Sequence, residues 1–184
     1  MFIIYLFLAI IIFAVFGLIA IYNKLVRGKH LVAEGWSGID VQLKRRTDLI
    51  PNLIESVKGY MKHERELLSE VTKLRAESMQ TKDVNAKSQV ENALSRSLAN
   101  LFAVAENYPD LKANQNFLDL QRQLAEVEDQ IQMSRRYYNG TVRNFNILIE
   151  SFPSNLVARQ FNFTQAEFFE IEDESDRAVP QVKL

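Results

Sequence analysis

Two histidines, no cysteine and a few charges set among apolar residues are what this chain of 184 residues offers for chemistry. His63-Glu64 starts like the helical zinc motif, in which two histidines four residues apart share a face with a glutamate base. The second position is Leu67, so the pattern fails. A di-iron bundle would set Glu three residues before His on two helices. Arg27 stands there before His30, and Tyr60 before His63. The lack of cysteine removes thiol catalysis, disulfides and thiolate-held zinc or iron–sulfur clusters. The sequence also lacks a glycine-rich phosphate loop and a Gly-x-Ser-x-Gly nucleophile elbow. The expectation is a non-enzyme with no catalytic residue, cofactor or metal. Asn139-Gly140-Thr141 and Asn162-Phe163-Thr164 match the glycosylation acceptor pattern. That pattern is short and common, and the simpler reading is that Asn139-Gly140 loosens a helix.

The charges on apolar faces carry more information. Arg46 and Glu64 fall on a helical seam, and Asp40, Arg45 and Asp48 flank Arg46 within one or two turns. Glu106, Arg135, Asn139, Asn146 and Glu150 punctuate other apolar stretches. A charge on a seam is tolerated when it is paired or reaches water. The favoured reading is an ion-pair and hydrogen-bond layer that fixes helix register, with Arg46 paired to Glu106 or Glu150. The competing reading makes the same residues a ligand site or a subunit contact.

These side chains must be positioned by helices. Trp36, Ile39, Leu43, Arg46, Ile50, Leu53, Val57, Tyr60, Glu64, Leu67, Val71 and Leu74 alternate steps of three and four, which is a heptad seam. The unbroken register predicts one helix from about Gly35 to Ser78, bent at Pro51, while Asp48 offers a cap for a restart. Polar residues 79–88 read as a connection. A second helix spans about Ser88 to Asn107, with Val90, Leu94, Ser97, Leu101 and Val104 in a stripe, and Tyr108-Pro109-Asp110 ends it. A third begins near Asn114, a candidate N-cap, and carries Phe117, Leu120, Leu124, Val127, Ile131, Ser134, Tyr138, Val142, Phe145 and Ile149 to Phe152-Pro153. A short helix is expected over Ser154 to Arg159, and then aromatics (Phe163, Phe168, Phe169) that suit packing on the bundle. The fold class is all-α: an N-terminal transmembrane helix and an elongated antiparallel, up-and-down bundle of long helices.

The transmembrane expectation rests on residues 1–22, which hold no charged side chain. As a helix they are roughly 33 Å long, against a hydrocarbon core of about 30 Å. A signal peptide would need a basic start, a shorter apolar core and a small-residue cleavage site, none of which the sequence offers. Tyr5 and Tyr22 suit the two interfaces. Lys24, Arg27 and Lys29 crowd the C-terminal flank, which favours an outside N-terminus and a cytoplasmic bundle; a periplasmic bundle is the alternative. Each of these cations is worth about 1 kcal/mol near anionic headgroups. The organisation read from the chain is therefore an anchor at 1–23, a basic juxtamembrane linker at 24–34, a bundle at 35–171 and an acidic, disordered tail at 172–184. A net charge of −1 gives no electrostatic case for nucleic acid.

Laid out this way, the chain resembles the LemA family. The stretches that carry the resemblance are Tyr22-Asn23 after the anchor, residues 36–53 (WSGIDVQLKRRTDLIPNL), 105–113 (AENYPDLKA), 135–139 (RRYYN) and 146–153 (NILIESFP). The resemblance covers essentially the entire chain in the family's order. It implies a single-pass bacterial membrane protein with an antiparallel helical bundle, and the family includes a magnetosome-associated branch that hints at membrane shaping. It brings no established enzymatic activity. The functional expectation is a protein of the bacterial cytoplasmic (inner) membrane that self-assembles as a homo-oligomer or scaffolds envelope proteins, with the lipid bilayer as a partner. The alternative is a small-ligand-binding regulator or enzyme that uses the polar cluster around Arg46.

Overall fold

The structure is a computed structural model that describes residues 1–169. The acidic tail expected at 172–184 and the last two bundle residues, 170 and 171, lie outside these. Among the described residues six helices form: α1 Phe2–Lys58, α2 Arg65–Gln80, α3 Val84–Ala105, α4 Pro109–Lys112, α5 Gln115–Glu150 and α6 Ser154–Gln160. Among the described residues there is no strand, and the all-α helical bundle read from the sequence is what forms. The chain divides into two compact units. The first is Met1–Val41 with Ile131–Phe168, and the second is Gln42–Gln130 with Phe169.

In the first unit, the apolar run at the start of α1 is exposed from end to end. Immediately beyond it Leu25 is fully buried, in a cluster with Phe145 of α5 and Val157 and Ala158 of α6; Ile21, Val32, Ile149 and Phe163 close around them. The basic stretch 24–34, read as a linker, is thus continuous helix with one face in a core. Two glycines seven residues apart let α5 approach. A Cβ on Gly28 would meet the Phe145 ring at 2.9 Å, and one on Gly35 would lie 3.2 Å from the Tyr138 backbone. Trp36 packs on the Tyr138 ring at 5.6 Å between centroids.

In the second unit, Ile50, Leu53, Val57 and Met61 join Val71 of α2, Leu94, Leu98 and Leu101 of α3, Leu111 of α4, and Phe117 and Leu124 of α5 in one core. The single helix expected from Gly35 to Ser78 does not form. Helix α1 runs through Pro51 and stops at Lys58, and α2 restarts at Arg65. Pro51 has no N–H to offer the Thr47 carbonyl one turn back. Arg75 of α2 donates its Nε–H to that carbonyl at 2.7 Å, so the group left over by proline is satisfied from a neighbouring helix. Apolar burial on either side of the proline then holds the helix together. The break falls instead at Gly59, a weak helix former directly after Lys58. Past it, Met61 takes the buried position and Tyr60 turns outward.

Asp83 caps α3 by accepting from the Ala86 N–H at 2.9 Å, which starts that helix four residues earlier than Ser88. Asn114 caps α5 in the expected manner, accepting from the Phe117 N–H at 3.2 Å.

Candidate functional site

The seam charge at Arg46 becomes the centre of a buried network in the second unit. Its guanidinium is 1% exposed. One terminal nitrogen donates to the Glu91 carboxylate and, at 3.3 Å, to the Glu91 carbonyl. The other donates to Ser95 Oγ and to Glu128 Oε2, each at 2.6 Å. The second oxygen of Glu91 accepts from Ser78 Oγ and faces the Lys87 ammonium at 3.6 Å. Lys87 in turn donates to the Ser78 carbonyl. Four helices contribute: α1 supplies Arg46, α2 Ser78, α3 Lys87, Glu91 and Ser95, and α5 Glu128. On α3 the three side chains recur every fourth residue and so share one face. The buried charges of Arg46, Lys87 and Glu91 each face one of opposite sign, and Glu128, a third exposed, carries the network toward the surface.

This corrects the expected pairing of Arg46 with Glu106 or Glu150. Glu106 is exposed and binds Lys112, and Glu150 accepts from the exposed Gln165. The true partners, Glu91 and Glu128, were missed. A signal for Glu91 existed, because Lys87 and Glu91 line up with Leu94, Leu98 and Leu101 on the buried face of α3. The stripe expected on that helix holds for Leu94, Ser97 and Leu101, with Leu98 and Ala105 beside them, all buried; its two ends, Val90 and Val104, are only half-buried, and it did not extend to Lys87 and Glu91.

The remaining candidates disperse. Asp40 and Arg45 are exposed, and Asp48 forms a surface pair with Lys44 at 3.0 Å. Glu64 accepts from the Tyr108 hydroxyl at 3.2 Å. Partial burial, and then the Glu64 charge, push the Tyr108 phenol above its usual pKa. Arg135 is buried and Asn139 half-buried in the first unit. Lys24, Arg27 and Lys29 are all exposed, and the Tyr22 ring meets Phe161 edge-on at 4.8 Å.

Asn146 has a distinct role. Its side-chain amide donates to the Ala166 carbonyl and accepts from the Ala166 N–H, both at 2.9 Å. Tyr138 donates its hydroxyl to the Glu167 carbonyl at 2.8 Å. Together they strap residues 163–168 along α5. Burial, and secondarily the Glu167 charge, raise the Tyr138 pKa.

The chemistry open to the Arg46 network is limited. Ser95 lies 3.3 Å from both Glu128 oxygens, but its Oγ also takes an arginine hydrogen bond, and no histidine stands by to act as base. Among the described residues, no three His, Asp or Glu side chains converge as a metal site would require. A cavity of about 290 Å³ opens beside the network, walled by Leu98, Phe102 and Leu124 and ending at Arg46, Ser95 and Glu128. The Arg46 Nε–H has no partner.

Comparison with known proteins gives a consistent picture. The LemA family model matches residues 35–184. Protein LemA of Metamycoplasma hominis is 30% identical over 153 residues, which cover 80% of this chain and 68% of that protein. Magnetosome protein MamQ 2 of Paramagnetospirillum magneticum is 23% identical over 184 residues, covering 86% and 68% of the two chains. Magnetosome protein MamQ of Magnetospirillum gryphiswaldense is 21% identical over 189 residues, covering 88% and 70%.

Proposed function

Because the chain belongs to the LemA family, we propose that it is a non-enzymatic membrane protein that works by contact: a helical body, tethered through α1, that associates with copies of itself and docks envelope partners. The observation that carries this is the exposed apolar run of α1 and its unbroken passage into a packed helical unit at Leu25. An unburied face of that size belongs against lipid. The exposed cations Lys24, Arg27 and Lys29 support a cytoplasmic body on the inner membrane of a bacterium. Self-association is supported by α5. Met133, Tyr137 and Ile147 lie exposed on its outer side, at spacings that return to one face of a helix. A body of this kind, gathered in numbers at one leaflet, would also bear on membrane shape.

Size-exclusion chromatography with light scattering on the detergent-solubilised chain tests the reading. A closed oligomer that dissociates in the double variant Met133→Glu/Tyr137→Glu is the expected result. A monomeric wild-type chain would refute the self-association.

A second reading, a small-ligand regulator, is favoured by the cavity beside Arg46 and its unpaired Nε–H. The other polar groups there already bind one another, which leaves little to recognise a ligand. A reproducible ligand-induced rise in melting temperature that disappears in Ala99→Phe, at the cavity wall, would establish it.

A further inference from the structure

The first unit has an apolar surface that membrane anchoring through α1 does not require. Helix α6 lies alongside the end of the apolar run. Between them is a groove of about 480 Å³ lined by Leu18, Ile19, Tyr22, Leu156, Val157, Gln160 and Phe161. Leu156 and Phe161 are 59% and 57% exposed, and Phe152, at the turn that leads into α6, is 80% exposed. We propose that α6 with Phe152 and Phe161 is a second membrane contact, and that the groove holds an acyl chain of a lipid in the leaflet nearest Lys24. This rests on the reading of residues 2–22 as a membrane anchor.

Three observations select a lipid chain as the occupant. One wall of the groove is the anchor itself, so the groove is continuous with the surface that faces lipid. Leu18 and Ile19 precede Lys24, the first charged side chain, by six and five residues, or about 8–9 Å along the helix. Groups packed against them therefore lie at the boundary of headgroups and acyl chains, the depth at which the apolar face of an interfacial helix sits. The charges complete the pattern: Arg159 on α6 is exposed, as are Lys24 and Arg27. Cations beside an apolar wedge suit anionic headgroups above buried chains. With no charged side chain in its wall and Gln160 as its one amide, the groove suits an acyl chain better than a polar peptide.

The native chain has no cysteine, so single-cysteine labelling is clean. Phe13→Cys, Leu156→Cys, Phe161→Cys and Leu118→Cys are each made in the full chain, labelled with an environment-sensitive nitrobenzoxadiazole dye, and reconstituted in phosphatidylcholine–phosphatidylglycerol vesicles. Quenching is measured with lipids spin-labelled high or low on the acyl chain. All four positions are exposed; Phe161→Cys also gives up the ring contact with Tyr22, so Leu156 is the position that decides. The proposal expects Phe13 to be quenched best by the deep label and Leu156 and Phe161 by the shallow one, severalfold more than Leu118. If Phe13 is quenched while Leu156 and Phe161 behave like Leu118, the second contact is refuted and the anchor stands. If Phe13 escapes quenching, the anchor reading fails and takes this one with it. Efficient disulfide formation between unlabelled Leu156→Cys copies in the membrane, without lipid quenching, would put a second chain in the groove and overturn the lipid assignment.

Discussion

The two units hold the same pair of long helices by different means. In the second unit, α1 is fixed by buried charge. Arg46 reaches Glu91 on α3 and Glu128 on α5, and the network closes through Ser78 and Lys87. In the first unit, α1 is fixed by rings set against missing side chains: Phe145 against Gly28 and Tyr138 against Gly35. The second unit pairs its buried charges with one another. The first leaves Met133, Tyr137, Ile147, Phe152, Leu156 and Phe161 exposed on its surface. The contrast matches the two tasks of the proposed function: directional ion pairs suit a single register, and an exposed apolar surface suits the contacts proposed above.

Substitutions can break this contrast. The largest effect is expected at Arg46. Arg46→Leu takes the guanidinium from the buried Glu91, leaving it to Lys87 and Ser78, and also from Glu128, and chemical denaturation of the solubilised chain should record a loss of about 3–5 kcal/mol. Unchanged stability and unchanged assembly would show that the network neither locks register nor supports an interface. Gly35→Leu should cost about 1–3 kcal/mol by the same measurement, because its side chain must enter the space of Tyr138. Gly38, three residues on in the same helix, faces open space, so Gly38→Ala should instead stabilise by about 0.5–1 kcal/mol. If both glycine variants shift stability alike, the close approach at Gly35 is not what holds α5. Arg75→Met removes the partner of the buried Thr47 carbonyl and should lower stability by about 1–3 kcal/mol, with proton exchange rising around Pro51.

The smallest expected effect is alkaline. The folded Tyr138 phenol titrates above the ordinary 10.0. The stability it contributes is therefore fully present below that value and is lost as pH rises through the folded pKa. Phenolate absorbance should show late-titrating tyrosines, Tyr108 and Tyr138, and Tyr138→Phe should remove one of them.

The sequence announced most of the helices and left their meeting points open. Ile39, Leu43, Arg46, Ile50, Leu53 and Val57 are buried as their heptad spacing required. The seam then continued on paper through Tyr60, because periodicity alone cannot distinguish one long helix from two that resume in nearly the same phase. Gly59 after Lys58 was the available stop signal, and Pro51 drew attention away from it. Tertiary satisfaction of the Thr47 carbonyl is what lets a helix pass through proline, and Arg75 lies 24 residues further on. Arg46 was legible as a charge needing partners. Which carboxylates those were depended on how α3 and α5 slide along α1, and no local pattern encodes that offset.

The passage from Tyr22 to Leu25 has a mechanical consequence. No swivel separates the greasy start of α1 from the point where Phe145 and Val157 grip it. In the membrane-tethered arrangement proposed above, the azimuth of the rod in the bilayer is thereby geared to the face that α5 and α6 occupy. Inserting a single alanine after Asn23 would turn one against the other by about 100°. The rod would keep its length and its oiliness while Leu18, Ile19 and Tyr22 turned away from Leu156 and Phe161.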